Sequence, residues 1–282
     1  MNIRIITDSA ADFTQQELAA HHIHCVPMTI TFGEEAFTDG VTLSPDTFWQ
    51  RLLAGETAKT SQPSPDAFLS AFEDARAAGD AVVCVLLSSA LSGTLQSAII
   101  ARSMIDYEPI YLVDSLTAAV AQKVLVLRAC QLREEGRLDA AQIARDLEDF
   151  RSRIRLYAAL DTLVYLARGG RIPKAAASLG TLVQLKPLVT VGTDGLVEMA
   201  GKAIGLHRAS EALIKLTKGH AIDPSFPVIP IYAHTPENCL SFVKKLQQAG
   251  IPCRPEDATP IGTTISTHIG PGAYGLVFVE EA

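Results

Sequence analysis

Short apolar runs alternate with stretches in which apolar residues recur every three or four positions, from the first residues to about residue 155. The runs are typical of buried strands, and the recurring pattern is typical of amphipathic helices. The run IRIITD, which ends at Asp8, precedes TQQELAAHH, where Thr14 and Glu17 predict a helix that begins with a capping box. This alternation favours a doubly wound parallel sheet. We therefore predict a Rossmann-like α/β domain over residues 1–155.

Two serine–proline pairs predict further helix starts, because serine caps a helix and proline suits its first position. They are Ser44-Pro45 and Ser64-Pro65. The segment IHCVPMTITF predicts a single strand. The segment KTSQPSP, residues 59–65, predicts a hydroxyl-rich loop before the helix that follows.

The pattern changes after about Arg155. In LKPLVTVGTDGLVEMAGKA, two strand-like runs flank Thr193-Asp194-Gly195, which is a hairpin turn signal. Helical and strand-like segments then follow as far as the C-terminus. We predict a second domain of α+β class over residues 156–282, with an antiparallel component.

The composition excludes several classes of protein. A net charge of −7 and an aromatic content of 6% argue against a nucleic-acid-binding surface, which needs basic patches and stacking rings. No secretory leader pattern begins the chain, and no apolar run reaches the roughly 18 residues of a membrane span. We therefore expect a cytoplasmic protein with no membrane span, and the acidic composition predicts a monomer. The five scattered cysteines and the histidines show no metal-ligand spacing, so we expect reduced thiols and no metal site.

Small polar residues follow three of the predicted strands, in TDSAAD, SSALSGT and DSLTAA. Ligands of open parallel sheets bind beyond the carboxyl ends of the strands. Five hydroxyl side chains lie between Ser88 and Ser97, where a helix is predicted to begin, and hydroxyls beside the N–H groups of a helix start favour an anion. The glycine patterns of nucleotide sites do not occur in the right context. The turn therefore suits a singly charged carboxylate.

Two other functions remain open from these residues. Ser92 as nucleophile and His268 as its base would make a serine hydrolase or acyl transferase for lipid-like substrates, with Asp8 or Asp114 as the orienting acid. The GxSxG spacing of a nucleophile elbow is absent, however. A module that binds phosphate sugars is the other alternative. Asp8 and Asp114, each followed by serine, are also typical of Asx turns.

Seven motifs, in their order along the chain, resemble those of the DegV family. They are TDSAAD, TSQPSP, SSALSGTLQSA, VDSLTAA, LVYLARGGRI, LKPLVTVGTDG and THIGPGAYG. The resemblance implies a two-domain α/β protein that holds one long-chain fatty acid, such as palmitate, between its domains. It implies no other cofactor and no catalysis by the chain itself. It also implies a partner, an ATP-dependent fatty acid kinase subunit that converts the bound acid to an acyl phosphate.

The family's carboxylate-binding residues fall on matching motif positions of this chain. They are Thr60, Ser61, Ser92, Gly93, Thr94 and His268. We expect the acyl chain to contact apolar residues near the same motifs, which are Leu91, Ile99, Leu163, Leu166, Ala176 and Leu179. Burying one methylene contributes about 0.8 kcal/mol, so a 16-carbon tail offers on the order of 10 kcal/mol before ordering costs. The tail would thus set the affinity and the polar residues the position.

One segment departs from the family pattern. After the hairpin the family usually carries a short Arg- and Lys-rich cluster that is connected with phosphoryl transfer and partner docking. Here GKAIGLHRA keeps Lys202, His207 and Arg208 but has Ile204 and Leu206 where basic residues are expected. This departure leaves the prediction of lipid binding unchanged and weakens the expectation of a kinase partner.

Overall fold

The computed structural model describes residues 1–173 and 184–282, and the chain divides into two compact units. Unit 1 is Met1–Ser152 with Gly262–Thr264, and unit 2 is Arg153–Ile261 with Ile265–Ala282. Compactness is a different property from independent folding, which defines a domain. The predicted domain boundary at residue 155 therefore stays a prediction.

Unit 1 contains seven strands and six α-helices. The strands are β1 (Ile3–Asp8), β2 (Ile23–Val26), β3 (Thr29–Phe32), β4 (Glu35–Thr38), β5 (Ala58–Ser61), β6 (Ala81–Leu86) and β7 (Ile110–Asp114). The helices are α1 (Gln15–Ala20), α2 (Pro45–Leu53), α3 (Pro65–Ala78), α4 (Thr94–Ser103), α5 (Ala119–Glu135) and α6 (Ala140–Phe150). A short 3₁₀ helix, Ser9–Ala11, follows β1.

Four of these strands form a parallel sheet in the order β2-β1-β6-β7. Strand β6 is buried along its whole length, and helices α3 and α4 pack with it in a core that includes Phe68 and Phe72. The prediction of a parallel sheet alternating with helices is therefore confirmed. Because β6 lies between β1 and β7, the loops that follow these three strands meet at one edge of the sheet.

The helix starts are those that the local sequence predicts. Thr14 and Glu17 form the capping box of α1, and Ser44 and Ser64 cap α2 and α3 with a proline at the first turn. Each cap satisfies backbone N–H groups that the helix itself leaves unpaired. These signals are reliable because each depends only on residues within one turn.

The segment IHCVPMTITF is not one strand, as predicted, but two. Strand β2 ends at Val26 and joins the parallel sheet, whereas β3 begins at Thr29 and joins a separate three-stranded antiparallel sheet in the order β4-β3-β5. Pro27 lies between them and cannot donate a ladder hydrogen bond. The small antiparallel sheet was not predicted.

The described residues of unit 2 form a six-stranded sheet in the order β10-β9-β8-β13-β11-β12. Its strands are β8 (Ile154–Ala159), β9 (Leu185–Val191), β10 (Val197–Ile204), β11 (Ile229–Tyr232), β12 (Thr259–Pro260) and β13 (Tyr274–Val279). All neighbours in this sheet are antiparallel except β11 and β12. The predicted hairpin joins β9 to β10, with Gly195 at a φ of 80°. The α+β prediction is confirmed.

The described helices of unit 2 are α7 (Val164–Arg168), α8 (Gly205–Thr217), α9 (Glu237–Gln248) and α10 (Thr263–Ile269), whose first two residues count with unit 1. Two short 3₁₀ helices cover Arg151–Arg153 and Pro255–Asp257. Helices α8 and α9 supply Leu213 and Phe242 to a core that also contains Tyr274 of β13. Within residues 1–173 and 184–282, no helix is both long and apolar enough to cross a membrane.

The five cysteines are free thiols, and all except Cys25 are buried. Burial raises the pKa of each thiol, so the thiolate form is disfavoured at neutral pH. The four buried side chains therefore act as small apolar residues of the core.

Candidate functional site

The segment after β6 forms a turn that leads into helix α4. The N–H groups of Leu91 and Ser92 donate to the carbonyl of Ser88 at 3.0 and 3.1 Å. The Ser88 side chain is buried, whereas Ser92 and Gly93 are half-buried. The hydroxyls of Ser92 and Thr94 lie 2.8 Å apart and share a hydrogen bond. The turn thus brings two hydroxyls to the start of α4.

Helix α4 begins without a side-chain cap. Its cap residue, Gly93, has no side chain to make a capping hydrogen bond, and its first turn carries no acidic residue. The N–H of Thr94 makes one long side-chain bond, to the Ser92 hydroxyl at 3.4 Å. The first N–H groups of a helix and its dipole favour negative charge. The start of α4 is therefore chemically suited to an anion, and the carboxylate site at this turn stays a prediction.

Thr60 and Ser61 lie on strand β5, so the prediction of a loop over residues 59–65 was wrong at its start. Both residues pair with β3, Thr60 opposite Ile30 and Ser61 opposite Thr29. Such a pairing depends on residues far away in the sequence, which local patterns do not show. Because successive side chains of a strand point to opposite faces, the hydroxyls of Thr60 and Ser61 face opposite sides of the small sheet.

Gln62, which the sequence reasoning missed, contacts both the turn and helix α4. Its amide nitrogen donates to the Ser97 hydroxyl at 3.4 Å. A Cβ built at Gly93 would lie 2.5 Å from its amide oxygen, so the side chain packs directly on the glycine. A larger residue at position 93 would displace Gln62 from the start of α4.

Asp8 and Asp114 form the Asx turns that the sequence predicts, and each makes a second, long-range bond. Asp8 accepts from the N–H of Ala10 at 2.9 Å and Asp114 from that of Leu116 at 3.0 Å. Asp8 also accepts from the N–H of Leu87 at 2.7 Å, and Asp114 accepts from the N–H of Ser89 at 3.1 Å. The long-range bonds connect the loops at the end of the sheet.

Asp8 is fully buried, and burial raises its pKa from 3.8 to about 6, although the N–H groups of Leu87 and Ala10 act in the opposite direction. The folded protein therefore binds this proton more tightly than the unfolded chain does. Asp8 stabilises the fold fully below pH 3.8, and that contribution is lost as the pH rises through 6.

We expect the Asp8→Asn variant to lose this pH dependence, because asparagine does not titrate. The full contribution is about 3 kcal/mol, and part of it is already lost at pH 4. The unfolding free energy of the variant minus that of wild type should therefore rise by about 2 kcal/mol between pH 4 and pH 7. Urea unfolding at both pH values measures it, and the titrating groups that do not interact with Asp8 cancel in the difference. An equal pH dependence of the two proteins would contradict the burial effect.

Two further buried aspartates of unit 1 contact the segment Gly262–Thr264. Asp39 accepts hydrogen bonds from the hydroxyls of Thr263 and Thr264, the second at 2.6 Å. A Cβ at Gly262 would lie 2.6 Å from a carboxyl oxygen of Asp12, whose φ is 57° and whose pKa burial raises well above 3.8. Sequence reasoning missed these contacts because Asp39 is 224 residues from Thr263.

His268 lies in the last turn of α10, not in a glycine-rich turn as expected. The glycines follow it, with Gly270 and Gly272 at φ values of 73° and 78°. Burial and the guanidinium of Arg171 lower the pKa of His268 to about 4. The imidazole is therefore neutral at pH 7, with one N–H donor and one acceptor nitrogen.

Gly169, at the end of α7, packs directly against the His268 ring. A Cβ at this position would overlap the Nδ1 atom and lie 2.8 Å from Cε1. Arg171 donates to the Gly169 carbonyl at 2.5 Å. Within unit 2, the motif LARGGRI thus packs beside the motif THIGPGAYG, and the glycine allows the close approach.

The predicted acyl-chain contacts have different environments. Leu163 and Leu166 are buried in unit 2, whereas in unit 1 Leu91 is half-buried and Ile99 is 38% exposed. Ala176 and Leu179 lie outside the described residues. All six stay predictions.

The apolar residues of the segment that departs from the family pattern lie at the surface. Ile204 and Leu206 are 58% and 42% exposed. Lys202, His207 and Arg208 are exposed beside them. At these two surface positions the chain therefore presents apolar side chains where the family pattern has basic ones.

The part of the chain that the structure describes contains no cluster of metal-ligating side chains. There, no three His, Cys, Asp or Glu side chains are grouped so that they could hold an ion. The hydroxyls and the helix start remain the candidate binding groups of unit 1.

Comparisons with known proteins agree along the whole chain. A family model described as "Uncharacterised protein, DegV family" matches residues 2–281. A DegV domain-containing protein of Caldanaerobacter subterraneus is 31% identical over 99% of each chain. A fatty-acid-binding DegV family protein of Thermus thermophilus is 30% identical, with a TM-score of 0.86 over 100% of both chains. A stearic-acid-binding protein of Eubacterium ventriosum is 26% identical, with a TM-score of 0.87 over 99% of this chain and 98% of that chain. The chain belongs to the DegV family, which confirms the assignment from the seven sequence motifs.

Proposed function

We propose that this protein binds one long-chain fatty acid without covalent chemistry and has no catalytic activity of its own. The observation that carries the proposal is the start of α4, which has no side-chain cap and no acidic residue but has the hydroxyls of Ser92 and Thr94 beside it. Two proteins of solved structure, 30% and 26% identical to this chain, are described as fatty-acid-binding. Their similarity to this chain supports the same function.

The carboxylate would be bound by the residues that the motifs assign. In unit 1 these are the Ser92 hydroxyl, the backbone N–H groups of Gly93 and Thr94, and one of the two strand residues Thr60 and Ser61, since their hydroxyls face opposite sides of the small sheet. The carboxylate would replace the long 3.4 Å bond that the Thr94 N–H makes to the Ser92 hydroxyl. In unit 2 the neutral imidazole of His268 would donate an N–H. Each donor offsets part of the cost of removing the carboxylate from water.

Mass spectrometry of the protein purified from a bacterial host tests the proposal directly. We expect one long-chain fatty acid per chain under native conditions, released by solvent extraction. The same spectrum identifies the chain length and unsaturation. A folded protein that carries no lipid and does not bind added palmitate would contradict fatty-acid binding.

The Ser92→Ala variant should bind fatty acid about 5- to 150-fold more weakly, which corresponds to about 1–3 kcal/mol for a buried acceptor left without its donor. Displacement of a fluorescent fatty acid measures the affinity. Ser103→Ala is a matched control, since Ser103 ends the same helix and donates only to the Ile100 carbonyl. An unchanged affinity of Ser92→Ala would remove Ser92 from the site.

A fluorophosphonate reagent separates binding from the hydrolase alternative. A serine nucleophile forms a covalent adduct with such a reagent, whereas a binding protein does not. The Ser92 hydroxyl shares its hydrogen bond with Thr94, as expected for a structural or ligand-binding group. Two results together would contradict the binding proposal and support the hydrolase: labelling of Ser92 in wild type, and loss of that labelling in the His268→Ala variant.

The partner in this proposal is a separate ATP-dependent kinase subunit that phosphorylates the bound carboxylate. The sequence resemblance supports it, and the exposed Ile204 and Leu206 make the docking surface less basic than in the family pattern. Trapping an acyl phosphate with hydroxylamine, after mixing the loaded protein with a fatty acid kinase and ATP, tests the partnership. Absence of the hydroxamate with a kinase that is active on its own carrier would contradict it.

A further inference from the structure

Three successive backbone N–H groups after β6 are all bound by the neighbouring loops. The N–H of Leu87 donates to the Asp8 carboxylate at 2.7 Å, that of Ser88 to the Thr117 carbonyl at 3.0 Å, and that of Ser89 to the Asp114 carboxylate at 3.1 Å. Two of the three acceptors are therefore carboxylates. Hydrogen bonds to an ionised acceptor are stronger than those between neutral groups.

The two carboxylates reach this segment from opposite sides. Asp8 ends β1 and Asp114 ends β7, and these strands are the two neighbours of β6 in the sheet. Each aspartate is also fixed by its own loop, through the N–H of Ala10 or of Leu116. The segment Leu87–Ser89 is thus held between two anchored side chains.

The held segment continues directly into the candidate site. The carbonyl of Ser88 accepts the N–H groups of Leu91 and Ser92, which closes the turn, and α4 begins at Thr94. Movement of the backbone at Leu87–Ser89 would therefore be transmitted to the Ser92 hydroxyl. A ligand site loses affinity when binding must first order its donors, so fixed donors favour binding.

We propose that Asp8 and Asp114 are positioning residues for ligand binding: they hold the Leu87–Ser89 backbone from both neighbouring strands and thereby fix the Ser92 hydroxyl and the first turn of α4. The proposal rests on the proposed function, because the ligand it concerns is the fatty-acid carboxylate. Neither aspartate contacts that carboxylate in this scheme.

The test compares three variants of the full chain with wild type, using cis-parinaric acid as the fluorescent ligand. Asp8→Asn removes one anionic acceptor with little change of shape, and Asp114→Ala removes the other from a half-buried position. The matched control is Asp80→Asn. Asp80 is a buried aspartate directly before β6, at the opposite end of the strand, and it binds Arg4 at 2.9 Å.

We expect Asp8→Asn to bind about tenfold more weakly and Asp114→Ala about threefold more weakly, while Asp80→Asn stays within about twofold of wild type. Thermal melting of each unliganded variant shows whether it is folded. If Asp8→Asn fails to fold, Asp114→Ala and Asp80→Asn carry the comparison.

Amide resonances provide a readout that general destabilisation does not move. In ¹H–¹⁵N spectra of the unliganded protein, the peaks of Ser92, Gly93 and Thr94 should shift or broaden in Asp8→Asn and Asp114→Ala and stay in place in Asp80→Asn. Affinity equal to wild type in both test variants would overturn the positioning role. So would an equal loss in Asp80→Asn. If wild type itself does not bind the probe, the proposed function and this inference both fall.

Discussion

A Gly169→Ala variant should bind fatty acid as weakly as His268→Ala, with both about 5- to 150-fold weaker than wild type. A methyl group at position 169 would overlap the Nδ1 atom of His268, so the imidazole has to move. The φ of Gly169 is −73°, which alanine adopts without strain. The substitution therefore acts on the ring and not on the backbone.

The double variant makes this prediction specific. Once His268 is alanine, the methyl group at position 169 has no ring to displace, and Gly169→Ala should cost almost no further affinity. Fluorescent fatty-acid displacement measures all four proteins of the cycle. Additive losses would show that Gly169 acts by another route. A collapse in the melting temperature of unliganded His268→Ala would instead identify His268 as a structural residue.

Gly275→Ala should destabilise the fold by about 3 kcal/mol or more, because the added carbon meets backbone that cannot move aside. Gly275 lies in β13 between β8 and β11, opposite Ala158 and Ile231. A Cβ there would overlap the Tyr157 carbonyl oxygen and lie 2.7 Å from the Ala158 Cα. Relief of these contacts requires β8 and β13 to separate, which breaks their hydrogen bonds.

Urea unfolding of the purified variant measures this loss, and Gly201→Ala is the control. Gly201 lies in β10 of the same sheet, and a Cβ there meets only the end of the Leu188 side chain at 3.5 Å, an ordinary contact. We expect Gly201→Ala to change the unfolding free energy by less than about 1 kcal/mol. A Gly275→Ala protein as stable as this control would show that the two strands can adjust.

The parts of the fold that were predictable depend on residues close together in the chain. The cap of α1 at Thr14 and Glu17 is complete within four positions, and the hairpin at Gly195 is likewise local. The Asx turn of Asp8 belongs to the same class, because its partner Ala10 is two residues away. Local chemistry decides each of these features, so the sequence pattern is sufficient.

The parts that were not predictable depend on distant partners. Thr60 is on a strand because Ile30 pairs with it, and Asp8 holds Leu87 across 79 positions. Pairing of this kind is decided by the packing of whole elements, and no local pattern encodes it. The motifs therefore indicate the candidate residues, whereas the contacts that position those residues come from distant parts of the chain.

The buried cysteines give each unit its own probe of transient opening. Cys84 and Cys130 belong to unit 1, and Cys239 and Cys253 belong to unit 2. A buried thiol reacts with an alkylating reagent only while its surroundings are open, so its labelling rate reports the population of that open state. Timed alkylation followed by peptide mass analysis would yield separate opening free energies for the two units. Opening free energies at Cys84 and Cys239 that are equal and fall equally with added urea would indicate one cooperative event. A slower rate at both in the presence of fatty acid would measure how much the ligand suppresses opening.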